Sequence, residues 1–215
     1  MSMQPQETRT ERRSRKTRAK LMRAALQLFR ERGVDVTTIA EITERSDLGK
    51  GTFYRHFESK SELLLALTED AVDRLLGHIR AGTEGAQGLV AVLSKLLDVH
   101  VAFFTEHADE FTLLFQSRLF LATEREEEQA LEAPVMRYLD GLSDVIAKAA
   151  STPVTGRQLR RLACALAGYV SGFLSFAYVG LSEHELEASF TPLREAFAST
   201  AAALMADKEP VRLAG

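Results

Sequence analysis

Apolar residues recur at helical spacing along most of the chain, and hardly any segment alternates as a strand does. The first such stripe has the i, i+3, i+4, i+7, i+8 spacing of a helix with one buried face. Its members are Leu21, Ala24, Ala25, Leu28 and Phe29. Gly33 follows as a helix stop. The pattern predicts an all-α fold of about nine helices.

Two short helices should follow Gly33. Thr38 with Glu41 three residues later has the capping-box spacing and predicts a helix that ends near Arg45 or Ser46. Residues 46–49 then turn the chain into G49-K-G-T-F-Y-R-H-F57. Ser59 and Glu62 repeat the capping-box spacing and predict the start of a long helix.

The second half of the chain predicts further helices, and glycines between residues 77 and 88 loosen the segment before them. We expect helices near 87–106, 108–122, 124–150, 156–180 and 183–206. The last of these could divide at Thr191-Pro192, because threonine caps helices and proline suits a first helical position.

The balance of charged residues also differs between the two parts of the chain. Residues 1–60 contain 14 Lys or Arg and 8 Asp or Glu, whereas the remainder contains 13 and 22. The segment 9–20 alone has seven cations and one acid. The basic residues 1–60, joined to an acidic remainder, indicate that the N-terminal part of the chain binds a polyanion. The segment 9–20 would add affinity that does not depend on sequence and that falls as salt is added.

The remaining composition narrows the class of protein. No secretory signal opens the chain, and the single cysteine, Cys164, favours a reducing, cytoplasmic location. The uncharged run from Leu162 to Val179 imitates a membrane span, with Gly168 and Gly172 as a Gly-x-x-x-Gly pair, but polar residues dilute it. We therefore expect a helix buried against protein and no membrane partner. No catalytic motif is present, so an enzyme is not expected.

The segment 49–57 combines apolar residues suited to a core with polar residues suited to a surface. Phe53 and Phe57 are four residues apart and share one face, on which they can pack against the preceding helices. The other faces are left to polar residues: Lys50, Gly51, Thr52, Tyr54, Arg55 and His56. Two short helices joined by a tight turn form a helix-turn-helix, whose second helix enters the DNA major groove. Lys60 stands at the next helix start, where a phosphate is favoured.

These residues resemble a known family. F29-x-x-x-G33, T37-T-I-A-E-I42 and G49-K-G-T-F-Y-R-H-F-E-S-K60-S-E-L63 are similar to the DNA-binding domain of TetR/AcrR-type transcriptional regulators. The similarity covers residues from about 14 to 65. The chain has Asp47 where the family usually has glycine, and Gly49 where it often has serine.

The resemblance implies roles for individual residues. Lys50, Gly51, Thr52 and Arg55 would face the bases or the groove. Thr38, Tyr54, His56 and Lys60 would hold phosphates of double-stranded DNA. It also implies the domain order: a basic flexible arm at 1–13, the helix-turn-helix domain at 14–60, and a helical ligand-binding and dimerisation domain at 61–210.

Small residues in the last two predicted helices support a homodimer. Such faces let helices approach closely, and two helices from each subunit would build a four-helix interface. The candidate interface residues are Ala163, Ala167, Gly168, Ser171, Gly172, Ser175, Leu193, Phe197, Ala201 and Leu204. The other interpretation is that both stripes serve only the protomer core.

An apolar ligand cavity in the second domain would be lined by aromatics with histidines as polar contacts. Its candidate residues are His100, Phe103, Phe104, His107, Phe111, Phe115, Tyr138, Tyr169 and Phe173. Each could equally be plain core. No His-x-x-x-His spacing favours a metal, and no cofactor is expected.

The sequence thus predicts a homodimeric DNA-binding regulator, a repressor released from a near-palindromic operator by a small apolar inducer. The alternative is a DNA-binding protein whose second domain docks a partner protein.

Overall fold

The computed structural model describes residues 8–116, 125–151, 153–180 and 182–206. Its helices are α1 (Arg9–Arg32), α2 (Ile39–Arg45), α3 (Lys50–Tyr54), α4 (Lys60–Thr83), α5 (Leu89–Glu106), α6 (Ala108–Phe111), α7 (Arg125–Ala149), α8 (Gly156–Gly180) and α9 (Glu183–Ala206). A π-helical turn, Thr112–Gln116, follows α6. Within these ranges no strand occurs, which confirms the all-α prediction.

Two predicted elements differ in detail. The helix expected over 108–122 is α-helical only to Phe111 and then widens into the π-turn; residues 117–124 lie outside the described part. The helix predicted over 183–206 is confirmed, and it does not divide at Pro192, because α9 runs through this residue without a break. A helix interior can accept a proline when packing compensates for the lost backbone hydrogen bond, and Phe190 and Ala198 on either side are buried.

The chain forms two compact units. The first contains residues 1–71 and 108–131, so that α1 packs against α2, α6 and the π-turn. Its core holds the predicted stripe Leu21 to Phe29 together with Ile42, Phe53, Phe57 and Leu63. The Arg30 guanidinium donates to the Asp109 carboxylate at 2.7 Å and links α1 to α6.

The start of α1 corrects one prediction. A flexible arm was expected over 1–13, but the helix begins at Arg9. Thr8 caps it: the Thr8 hydroxyl accepts from the Glu11 amide at 3.2 Å, and the Glu11 carboxylate accepts from the Thr8 amide at 2.8 Å. The basic segment 9–20 is therefore the first three turns of α1.

The second unit contains residues 72–107 and 132–215, and in it α5 packs against α8 and α9. Its core is aliphatic at Leu93, Leu96, Leu142 and Leu166, all fully buried. None of the described helices combines the length and the hydropathy needed to cross a bilayer.

Candidate nucleic-acid interface

The turn between α2 and α3 depends on two backbone conformations. Asp47 has φ of 52°, the left-handed region that asparagine and aspartate tolerate better than most residues. Gly49 then caps α3 with extended backbone, and its carbonyl accepts from the Thr52 amide at 2.8 Å. The turn that the sequence predicts is confirmed, with aspartate in the position that requires positive φ.

One face of α3 is anchored in the core. Phe53 and Phe57 are 0% and 1% exposed, and their ring centroids lie 5.7 Å apart. Helix α3 has only five residues, so its own hydrogen bonds stabilise little. Burial of the two phenyl rings contributes roughly 1.5–3 kcal/mol each and holds the helix in place.

The opposite face of α3 is open to solvent. Lys50, Gly51, Tyr54 and Arg55 are exposed, and 56% of the surface of Tyr54 is accessible, which is unusual for a tyrosine beside a core. The Arg55 guanidinium donates to the half-buried Thr52 hydroxyl at 3.1 Å. A row of donors without an acidic neighbour on the same helix suits phosphate and base acceptors.

His56 lies at the edge of this surface. Burial lowers its pKa, and the positive charges of Arg55 and Arg18 lower it further. The Arg18 guanidinium carbon sits 4.9 Å from the centroid of the Phe57 ring, so α1 touches the end of the recognition segment here. Near neutral pH the imidazole is neutral and can donate one hydrogen bond to a phosphate.

Thr38 and Lys60 have structural partners in the same region. Thr38 caps α2, and its amide donates to the Glu41 carboxylate at 2.8 Å, which confirms the predicted capping box. The Lys60 ammonium donates to three carbonyl oxygens of the loop before α2, those of Val34, Asp35 and Thr37, at 2.9, 3.2 and 3.0 Å. Lys60 thus fixes the loop that presents Thr38, a role the sequence pattern did not indicate.

Ion pairs brace α1 against α2 behind the recognition helix. Arg45 donates through two nitrogens to Glu31, at 2.9 and 2.8 Å, and Arg32 donates to Glu41 at 2.6 Å. The hydrogen bond from Arg45 lowers the pKa of Glu31. Both pairs are solvent-exposed, so each contributes little to stability.

The predicted ligand residues do not form one cluster. Five of them gather in the second unit: His100, Phe103, Phe104, His107 and Tyr138. Phe111 and Phe115 belong to the first unit, with ring centroids 5.6 Å apart. Tyr169 and Phe173 line a separate surface groove.

His100 and Tyr138 form a buried polar pair. The His100 Nδ1 lies 2.5 Å from the Leu96 carbonyl oxygen, which can only accept, so Nδ1 carries the proton. Nε2 then accepts from the Tyr138 hydroxyl at 2.8 Å. Burial lowers the pKa of His100 to about 4 and raises that of Tyr138. The pair is neutral and fully hydrogen-bonded on the histidine side.

An apolar groove of about 550 Å³ opens on the surface of α8 and α9. Its walls include Gly168, Gly172 and Leu193 from the predicted interface, together with Tyr169 and Phe173. The sequence interpretation missed two exposed side chains here. Phe176 lines the groove, and 81% of its surface is accessible. Val179, three residues further along α8, has 88% of its surface accessible. Their spacing from Gly168 and Gly172, at i+4, i+8 and i+11, was the available signal.

Some of the predicted interface residues lie on the inner faces of their helices rather than on the open faces. Ala163 is 0% exposed, while Ala167 and Ala201 are 9% and 8% exposed, so these alanines pack in their own protomer. They lie beside Leu162, Leu166 and Val170, which define the inner face. Ser171, Ser175 and Phe197 are half-buried, and the side chain of Leu204 lies outside the described part. The face open to a partner is that of Gly168, Gly172 and Phe176.

Comparison with known proteins agrees with this architecture. Residues 21–67 match the family described as bacterial regulatory proteins, tetR family. The chain is 27% identical over 168 residues to the uncharacterized HTH-type transcriptional regulator YvdT of Bacillus subtilis, covering 77% of this chain and 84% of that protein. It is 37% identical over 76 residues to the HTH-type transcriptional regulator TtgR of Pseudomonas putida, which is 35% of this chain and 36% of TtgR.

Solved structures share the fold across nearly the whole chain. The transcriptional regulator FadR from Bacillus subtilis, in complex with stearoyl-CoA, superposes with a TM-score of 0.67 at 13% identity and covers 89% of this chain and 99% of FadR. A Clostridium perfringens putative fatty acid metabolism regulator gives 0.68 at 17% identity, over 84% and 97%. With this helix-turn-helix geometry and these matches, residues 21–67 form a DNA-binding domain of the TetR-family type, and the chain as a whole is similar to HTH-type transcriptional regulators.

Proposed function

We propose that the chain is a homodimeric repressor that binds a near-palindromic operator and leaves it when a small apolar ligand binds. The observation that carries this proposal is the division of α3 into two faces. Phe53 and Phe57 fix one face in the core, while Lys50, Tyr54 and Arg55 project from the other. Donors held at fixed positions on a short helix are suited to contacts with the edges of the bases in a major groove.

The groove on α8 and α9 supports the dimer. An isolated protomer would leave Phe176 and Val179 almost fully exposed to water, and a large exposed apolar patch marks an interaction surface. Gly168 and Gly172 have no side chains in the way and have open space above them, so a second α8 can approach closely. A two-fold pair would place two recognition helices about 34 Å apart, in successive major grooves.

An apolar inducer is supported by the second unit and by the structural relatives. Its aromatic residues Phe103 and Phe104 surround the polar pair His100–Tyr138. A hydroxyl and an imidazole within an apolar setting are the kind of polar contacts that orient a ligand. FadR, which shares the fold, was solved with stearoyl-CoA. We therefore place long-chain acyl compounds first among ligands to test.

DNA and inducer would favour different conformations of the dimer. Each ligand then weakens binding of the other by the same coupling free energy. An acyl-CoA that lowers DNA affinity tenfold must lose the same factor in its own affinity when operator DNA is present.

The test is selection of duplexes from a random library by the purified protein, followed by gel shifts on the enriched sequence. We expect a near-palindromic site bound by a dimer. Lys50→Ala should lose about 1–3 kcal/mol of preference at one base pair of each half-site. Tyr54→Phe removes one phosphate donor, and should weaken all duplexes alike, by about fivefold.

Arg80→Gln is the matched control, since it removes an exposed cation of α4 outside the first unit. Equal losses for Lys50→Ala and Arg80→Gln would refute the assignment of α3 as the reading helix. A protein that stays monomeric by sedimentation at micromolar concentration would refute the dimer, and a complex with another protein through the groove would favour the docking alternative.

A further inference from the structure

The ammonium group of Lys60 is fully used by contacts within the protein. It donates to the carbonyl oxygens of Val34, Asp35 and Thr37 at 2.9, 3.2 and 3.0 Å. An ammonium group has three donors and no acceptor, so these three bonds occupy all of its donors. The side chain is half-buried. A DNA phosphate could bind this group only by replacing one of the carbonyls.

The loop between α1 and α2 requires a cation at this point. Its three carbonyl oxygens converge on the Lys60 ammonium, and without it their partial negative charges would repel one another. Inside the loop, the Thr37 hydroxyl donates to the Gly33 carbonyl at 2.7 Å, and the Thr37 amide donates to the Val34 carbonyl at 3.3 Å. These bonds leave one compact conformation, which depends on Lys60 for its closure.

Lys60 also joins the two ends of the helix-turn-helix segment. Helix α2 begins directly after the loop, and Lys60 is the first residue of α4, which follows α3. The three bonds connect residues 23 to 26 positions apart, and the chain between them contains both α2 and α3. Because α3 has only five residues, its orientation depends on its surroundings rather than on its own hydrogen bonds. The Lys60 bonds therefore restrict how α3 can move relative to α1 and α4.

We propose that Lys60 is a positioning residue, which sets operator affinity by fixing the loop before α2 and donates no hydrogen bond to a phosphate. This inference rests on the proposed function, in which α3 reads the DNA. It assigns Lys60 a role different from the phosphate contact that the family resemblance implies. A recognition helix that is already ordered loses less conformational entropy on binding, so the same contacts give a higher affinity.

Two substitutions of Lys60 in the full-length protein separate the two roles. Lys60→Met keeps most of the side-chain stem and removes the charge. Lys60→Arg keeps the charge, but a planar guanidinium holds its donors in a fixed fork that does not match three carbonyls converging on one point. A phosphate contact would survive the change to arginine, because a guanidinium also binds phosphate. The positioning role would not survive it.

Ala25→Gly is the control for lost stability. Ala25 is fully buried in α1, eight residues before Gly33, and glycine destabilises a helix interior without altering the loop. Thermal melting identifies a temperature at which all variants are folded, and the DNA assays are carried out there. Gel shifts then compare the duplex selected from the random library with one of mixed sequence, between about 50 and 200 mM salt.

Both Lys60 variants should bind the selected duplex roughly tenfold more weakly than Ala25→Gly, because α3 must then be ordered on binding. Their preference for the selected over the mixed duplex should fall as well, since contacts to phosphates do not depend on sequence and remain. The slope of log K against log salt should stay within about 0.3 of the wild-type value, whereas loss of one phosphate contact would flatten it by about 0.9.

The inference is overturned if Lys60→Met flattens the slope by about 0.9 and weakens both duplexes alike while Lys60→Arg binds like wild type. Lys60 would then be a phosphate contact, and the proposed function would stand. Binding of both Lys60 variants at the level of Ala25→Gly also overturns it, because the loop would then affect stability alone. If the wild-type protein binds neither duplex, both the inference and the proposed function fail.

Discussion

Acidification gives a direct test of the buried pair His100–Tyr138 in the second unit. The His100 ring is 0% exposed, and burial lowers its pKa from an ordinary value near 6.5 to about 4. In the unfolded chain the same imidazole takes up a proton as the pH falls through about 6.5, whereas in the folded chain it stays neutral until about pH 4. Between these values the unfolded state binds more protons, so stability falls with pH.

The expected loss follows from the two pKa values. Each pH unit of separation corresponds to about 1.4 kcal/mol, so this contribution is fully present above about pH 6.5, and its maximal loss, below about pH 4, is about 3 kcal/mol. Between about pH 7.5 and pH 5 the loss through His100 should be about 2 kcal/mol. The two hydrogen-bond partners of His100 add little to this pH dependence, because the Tyr138 hydroxyl and the Leu96 carbonyl are uncharged in this pH range.

Urea unfolding at the two pH values measures the effect, with His100→Gln as the control. Glutamine can accept from Tyr138 but does not titrate, so its variant should lack the 2 kcal/mol component that wild type shows. The difference between the two proteins removes the contribution of every other titrating group. Identical pH dependence for both proteins would show that His100 has the same pKa in the folded and unfolded states, and would refute the buried neutral pair.

Further predictions concern the first unit. Phe53→Ala should cost about 3–5 kcal/mol in urea unfolding, whereas Tyr54→Ala should change stability by less than about 0.5 kcal/mol; similar losses would contradict the two-faced α3. Lys60→Met keeps the side-chain stem but removes the ammonium that donates to three carbonyls, and should lower the unfolding free energy by about 1–3 kcal/mol. Asp47→Gly should raise stability by about 0.5 kcal/mol and Asp47→Ala should lower it by about 1 kcal/mol, because the position has φ of 52°; the opposite order would refute the conformational argument.

Local signals predicted the first unit well because its elements are fixed by short-range chemistry. The Thr38–Glu41 capping box, the stop at Gly33 and the Phe53–Phe57 pair each depend on residues within four positions of one another. The second predicted box is only half formed: the Ser59 hydroxyl accepts from the Glu62 amide, but the Glu62 carboxylate accepts from the Glu58 amide instead.

The errors arose where a segment depends on something other than apolar periodicity. Residues 9–13 have no apolar stripe and are part of the predicted flexible arm, although Thr8 and Glu11 have the same capping-box spacing that identified α2. On α8 the small residues at Ala163 and Ala167 suggested a partner surface, but the neighbouring leucines turn that side inward. Lys60 could not be interpreted correctly, because its three carbonyl partners lie 23 to 26 residues away along the chain.

The division of α3 into an anchored and an open face also bears on how such a regulator can evolve. The stability of the helix depends on Phe53 and Phe57, and Lys50, Tyr54 and Arg55 contribute little to the core. Substitutions at the open positions can therefore change which operator is recognised without lowering the fraction of folded protein. A duplicated gene could acquire a new target through such changes alone, while the rest of the molecule is inherited unchanged.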